Sequence, residues 1–209
     1  MAKTTKAKTT KKKETKKKYQ KHGIMLMRKI RKIYFMFVAL NAAIKGLGLG
    51  DRAMNIPECI SEGLASYLYG FARNIGCAGD TTNLENGQII EVKAASSQKE
   101  HDTTQISPSA QHDDLCFLRF DTKNHLVYTY LLGLTNEDVN KLSVNKNQTV
   151  GDQKEEKRRA RLSFEKIIIE PNSIEPDYIF DMKTLKTVGG KLWKQENLEL
   201  HHSSPALAA

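Results

Sequence analysis

The run Ile89-Ile90-Glu91-Val92-Lys93-Ala94 sets an acid and a lysine two residues apart within an apolar stretch. On a strand, that spacing sends both side chains to one face. Asn86-Gly87 just upstream reads as a two-residue hairpin loop, which sets Glu85 opposite Gln88, Thr82 opposite Glu91 and Asp80 opposite Lys93. Asp80, Glu91 and Lys93 then share a face, with directly opposed residues about 5 Å apart and diagonal ones about 7 Å. Two carboxylates at that separation suit a hard octahedral cation such as Mg²⁺, which polarises a phosphoryl oxygen and helps ionise a bound water. A lysine beside them can orient or deprotonate that water and stabilise the charge of in-line attack on a phosphodiester. The same residues also fit a charge ladder on a solvated hairpin, where opposed charges add only a little stability.

Positioning such a cluster requires a scaffold on both sides of it. Residues 24 to 44 carry Met27, Ile30, Ile33, Tyr34, Phe37, Val38 and Ile44 at spacings of three and four, which predicts an amphipathic helix ended by Gly46, Gly48 and Gly50. Pro57 is a favoured first helical residue, and a second helix is expected from there to about Arg73, with Ile60, Leu64, Leu68 and Phe71 buried and Gly76 closing it. Short apolar runs at about 75 to 84, 88 to 95, 114 to 121 and 125 to 133 read as strands, with Lys123-Asn124 at a second hairpin turn. Thr135 should cap a short helix to Leu142. Residues 144 to 161 read as an exposed polar loop, 161 to 169 as another strand, and 178 to 182 as a last one. Helices followed by a strand cluster imply an α/β or α+β layer fold, a mixed central sheet flanked by helices.

The net charge of +9 comes from one end of the chain. Residues 1 to 32 hold 14 basic side chains and one acid, leaving 19 basic and 23 acidic side chains elsewhere. Residues 1 to 22, mostly Lys and Thr, are expected to be a disordered arm, 23 to 200 a single domain, and 201 to 209 a flexible tail. Such an arm attracts phosphates through a sequence-independent field that fades with salt. Cys59, Cys77 and Cys116 have neither Cys-x-x-Cys nor metal-ligand spacing, and all three read as core thiols in a reducing compartment. The apolar run from Ile33 to Ile44 is broken by Asn41, lacks a small-residue cleavage pattern and is too short to span a bilayer, so the expected location is cytoplasmic, without a membrane. His101, His112 and His125 lack ligand spacing and receive no role.

Asp80, ten intervening residues and Glu91-Val92-Lys93 resemble the PD-(D/E)XK nuclease superfamily, which includes many type II restriction endonucleases. The resemblance covers roughly residues 55 to 135. The flanks Pro57-Glu58-Cys59-Ile60-Ser61-Glu62-Gly63, Lys93-Ala94-Ala95-Ser96 and Asp113-Asp114-Leu115-Cys116-Phe117 are similar to a small group of type II restriction enzymes cutting short GC-rich sites. The resemblance implies a PD-(D/E)XK-like core in which Asp80 and Glu91 bind Mg²⁺, Lys93 assists the water, and Glu62 on the preceding helix joins the metal site. It also implies hydrolysis of double-stranded DNA to a 5′-phosphate, a homodimer, and a cognate DNA methyltransferase as genetic partner. One departure is Gly79, where the superfamily's name has Pro. Glu62 also reads as a solvated side chain, since on a continuous helix it shares a face with Ser66, Tyr69 and Arg73, away from Ile60 and Leu64.

For reading DNA, Lys157-Arg158-Arg159-Ala160-Arg161-Leu162-Ser163 stands out, because arginine forks match guanine edges and phosphates. If extended, Arg159, Arg161 and Ser163 share a face, with Arg158 adjoining; a charged loop neutralised by Glu155 and Glu156 is the plainer reading. Gln105 and Ser107, in the polar stretch after the catalytic strand, are further candidates for DNA contact. Two other functions remain open: a repair or recombination nuclease of the same superfamily without sequence specificity, and a non-enzymatic basic nucleic-acid-binding protein. The acidic balance of residues 33 to 209 argues against the second.

Overall fold

The computed structural model describes residues 18–21, 24–49, 54–75, 79–96 and 102–195. The expected Cys77, His101, Gly50 and Gly76 features, most of the basic arm and the tail lie outside these residues. Strand β1 (Lys18–Lys21) falls within the stretch expected as arm and pairs with β2 (Ala72–Ile75).

Helix α1 (Ile24–Gly46) forms where the three-four periodicity predicts it, and Met27, Ile30, Tyr34 and Phe37 are buried along one stripe. Ile33 was expected on that stripe but is 41% exposed, because the buried line 27-30-34-37 leaves it on the neighbouring side. Helix α2 (Glu58–Tyr69) starts one residue after Pro57, which was expected as its first helical residue and is instead the extended N-cap, and it stops short of Arg73. Gly70 adopts φ 71°, a left-handed cap that ends the helix and redirects the chain into β2. Arg73 is therefore a strand residue.

The strand expected at 75 to 84 shrinks to β3 (Thr81–Thr82), followed by β4 (Ile89–Ser96). The loop between them is longer than the Asn-Gly signal suggested. Asn83 N–H donates to the Gln88 carbonyl and Gly87 N–H to the Asn83 carbonyl, so four residues make the turn and Thr82 pairs with Ile89, Thr81 with Ile90. The register is displaced by two residues from the expected one, and an even displacement leaves every side chain on its expected face.

Strand β5 (Thr104–Ile106) precedes β6 (Asp114–Asp121), which runs parallel to β4 and forms a hairpin with β7 (Leu126–Leu131). Thr135 caps α3 (Asn136–Lys141) in a reciprocal box with Asp138. Residues 144 to 161 are not a loop. They contribute to β8 (Ser143–Asn145), β9 (Gln148–Thr149), α4 (Val150–Glu155) and β10 (Ala160–Leu162). A second capping box, Thr149 with Asp152, starts α4 in a stretch with almost no apolar periodicity. The strand expected at 161 to 169 ends at Leu162; a π-helical turn (Glu165–Ile169) follows and continues through Glu170–Asn172. Its Ile-rich composition favours a strand, but burial of Phe164 and Ile169 decides the conformation. Strands β11 (Tyr178–Asp181) and β12 (Lys186–Gly189) complete the fold.

The main sheet has the order β1-β2-β3-β4-β6-β7-β11-β12, antiparallel except at β4–β6, with β5 and β10 forming a separate two-stranded ribbon. The expected mixed sheet flanked by helices is what forms. Two cores lie on opposite faces. Ile90, Val92, Cys116 and Leu118 pack under α1 and α2, while Ala95, Leu115 and Phe117 pack with Val139, Val150, Leu162 and Phe164. Cys116 is wholly buried and Cys59 packs at the edge of the first core, in keeping with their reading as core thiols. Among the described residues no helix is long and apolar enough to cross a membrane.

Candidate active site

Alternation on β4 separates chemistry from packing. Ile90 and Val92 enter the core beneath the helices, and Glu91 and Lys93 project from the opposite side of the strand. Lys93 Nζ lies 2.6 Å from Glu91 Oε1. Asp80 sits just before β3, where the observed register brings it level with Glu91, not with Lys93, and its Oδ2 accepts the Val92 N–H at 2.7 Å. Asn74 fastens this bend to β2: its backbone N–H donates to the Asp80 carbonyl and its side chain to the Gly79 carbonyl. Gly79 has φ 77°, and a Cβ there would meet Ile89 Cγ2 at 2.2 Å. Proline, fixed near −65°, cannot take that conformation.

Glu62 is buried and joined to Arg73 across α2 and β2. The expectation of a solvated glutamate is thus overturned. It rested on Arg73 being helical, and the strand instead brings the guanidinium to the carboxylate. Burial raises the Glu62 pKa; Arg73 opposes this, and Glu58 and Glu91 add to it. Asp80 is pushed up to about 7, first by burial and then by Glu91, against the lowering effects of the Val92 N–H and Lys93, with Glu62 adding a further rise.

Crowded oxygens of this kind fit a hard divalent cation, whose charge would relieve the repulsion. Among the described residues no three His, Cys, Asp or Glu side chains close around a common point as a complete metal cage.

The crowding has a consequence for stability in the absence of cations. Folded Asp80 retains a proton that the unfolded chain releases above about 3.8, so its effect on stability worsens as pH rises from there to about 7 and is fully adverse beyond. The Asp80→Asn variant cannot ionise. In EDTA it should unfold on the order of 5 °C above the wild type at pH 8, with the difference vanishing near pH 4. A thermal melt at both pH values checks this; equal Tm values at pH 8 would refute it.

A cleft of about 990 Å³ contains these groups. One wall comes from α1 (Phe37, Asn41, Lys45) and α2 (Glu58, Ser61, Glu62), the other from Gln105 and Ser107 with Arg159 and Arg161. Arg161 pairs with Gln105 across the β5–β10 ribbon. With its amide oxygen facing the guanidinium, Gln105 accepts from Arg161 Nη2 at 2.9 Å and Nε at 3.2 Å. A profile of the Bsp6I restriction endonucleases matches residues 25–171, a span that holds all of these residues. The chain belongs to the Bsp6I restriction endonuclease family. It is 41% identical over 157 residues to the type II restriction enzyme Bsp6I of Bacillus sp. (strain RFL6), covering 75% of this chain and 88% of that protein.

Not every residue expected to contact DNA reaches the cleft. Ser163 does not share a face with Arg159 and Arg161: the strand ends at Leu162, and the Ser163 hydroxyl is buried and donates to Asp102 at 3.2 Å. Arg158 is held outside the cleft by Glu156 and by Gln148, 3.1 Å from its Nη2. Two residues near the acids carried no spacing signal. Lys154 on α4 donates to Asn136 Oδ1 at 2.7 Å; burial lowers its pKa, opposed by the nearby Glu91 and assisted by Lys93. His112 is buried with neither ring nitrogen hydrogen-bonded, and burial lowers its pKa against the pull of Glu91.

Proposed function

We propose that the chain is a type II restriction endonuclease that hydrolyses phosphodiester bonds of double-stranded DNA in this cleft, using Mg²⁺ and acting as a homodimer. The observation that carries it is Asp80 level with Glu91 and Lys93 in a cleft whose far wall bears Arg159 and Arg161, in a member of a restriction endonuclease family. Asp80 and Glu91, with Glu62 beside them, would hold the cation, which when bound supplies Lewis-acid activation of the phosphoryl oxygen and lowers the pKa of a bound water. The Val92 N–H fixes one oxygen of Asp80, a residue of the cleft lining. Lys93 Nζ, held at Glu91, orients the attacking water and stabilises the added negative charge at phosphorus. As the water oxygen bonds to phosphorus the P–O3′ bond breaks, the water's proton passes to solvent and the leaving 3′ oxygen takes one from solvent, giving a 5′-phosphate and a 3′-hydroxyl. Arg159 and Arg161 approach base edges or phosphates from the opposite wall, with Gln105 and Ser107 beside them.

A single cleft of this size serves one strand, so a second copy is needed for the other, and a palindromic site mirrors the resulting two-fold. A DNA methyltransferase protecting the same site is the genetic partner this function requires. Digestion of unmodified phage DNA in Mg²⁺, with the fragment ends sequenced, tests the reading. Discrete bands with 5′-phosphate ends are expected. A smear would mean a nuclease without sequence specificity, and intact DNA would overturn the proposal.

A further inference from the structure

Helix α1 presents three faces. Met27, Ile30, Tyr34 and Phe37 pack into the core, and Phe37, Val38, Asn41 and Lys45 line the cleft. The third carries Ile33, Met36, Leu40, Ala43 and Leu47, all exposed. Their spacings are three, four, three and four, the repeat that keeps one apolar seam facing a partner helix. Leu47 lies just past the helix but continues its repeat, since its N–H donates to the Ala43 carbonyl at 2.9 Å. Met36 and Leu47 are 71% and 72% exposed, and Leu49 at 74% extends the patch. A contiguous apolar surface of this kind is uncommon on a chain that works alone.

We infer that this seam is the dimer interface, the occupant being the same seam of a second copy packed antiparallel; the inference rests on the restriction-endonuclease reading above and names its partner surface. Three features select that occupant. The seam is self-complementary: a two-fold axis near Leu40 sets Ile33 opposite Leu47 and the large Met36 opposite the small Ala43, so each end fills the other. The charges favour the antiparallel sense. Arg28, Lys29 and Lys32 sit at the start of the helix and would crowd one another in a parallel pair. In the antiparallel pair Lys32 falls opposite Gly48, just past the carbonyl end of the facing helix, and the three cations no longer face their own copies. The cleft-lining residues sit on the adjacent side of the same helix, so a two-fold through the seam brings two clefts together with the opposed polarity that two strands of a duplex require.

Sedimentation of the DNA-free full-length protein tests this. The wild type should run at twice the chain mass of 23.6 kDa, Leu40→Lys and Met36→Glu at the single-chain mass with unaltered circular dichroism, and Val188→Lys, on the far edge strand, as the wild type. Leu40→Cys, close to the axis, should form a disulfide-linked dimer on mild oxidation where the wild type does not, a readout that does not depend on the charged variants folding. A wild type that is monomeric throughout, charged variants that remain dimeric, or a monomer whose seam instead binds vesicles of phosphatidylserine and phosphatidylcholine would overturn the inference. A dimer lost on seam mutation in a protein that cuts no DNA would leave this interface standing and defeat the functional reading alone.

Discussion

Asp80→Ala and Glu91→Ala are each expected to reduce cleavage of a cognate plasmid by about a thousandfold or more, while leaving specific DNA binding measurable in calcium. Both carboxyl groups lie in the cleft among other acids, and negative charge there repels phosphate in the absence of a cation. Removing either should therefore leave affinity in the metal-free state unchanged or raised. The rate falls because the cation loses a ligand and the water loses its activation. Lys93→Ala should also abolish cleavage, but through the water and the charge at phosphorus and not through a lost cation ligand, so its cation affinity should not fall below that of the wild type. Titration of Mn²⁺ by calorimetry separates the two causes: weakened for Asp80→Ala and Glu91→Ala, preserved for Lys93→Ala. A Glu91→Ala enzyme cutting near the wild-type rate would remove this site from the reaction.

The second large effect concerns the opposite wall. Arg159 and Arg161 are exposed to the cleft, and Gln105 holds two of the Arg161 donors, fixing the plane of its guanidinium before DNA arrives. A bidentate arginine to guanine is worth about 1 to 3 kcal/mol of discrimination, whereas a lost phosphate contact weakens all sequences alike. Arg159→Ala or Arg161→Ala should therefore lower the ratio of cognate to non-cognate binding roughly tenfold or more. Lysine should rescue poorly because an ammonium cannot reproduce the planar fork. Ser163→Ala should leave the ratio unchanged, its hydroxyl being committed to Asp102. Competition between cognate duplexes and single-substitution duplexes in calcium measures each ratio. Equal weakening of both duplexes by the arginine variants would reduce the ribbon to a phosphate contact.

What the sequence determined by itself was whatever depends on local periodicity and on parity. The two helices, the β6–β7 hairpin and the Thr135 cap follow from spacings of three and four, alternation and a hydroxyl before two acids. The shared face of Glu91 and Lys93 follows from a strand period of two, and the place of Asp80 on that face survives an error of two residues in the hairpin register because that error is even. What only the tertiary structure decided was whatever depends on partners distant in the chain. Arg73 became a strand residue at Gly70, and that alone converted Glu62 from a solvated helix side chain into a buried one paired in the cleft. The Ile-rich stretch after Leu162 took a π-helical form because Phe164 and Ile169 fill the second core, which took Ser163 off the arginine face. Lys154 and His112 lie near Glu91 from elements with no spacing relation to it, so no periodicity within the chain could have flagged them. Local geometry is written in neighbouring residues, whereas burial and charge at this site are set by residues that only folding brings together.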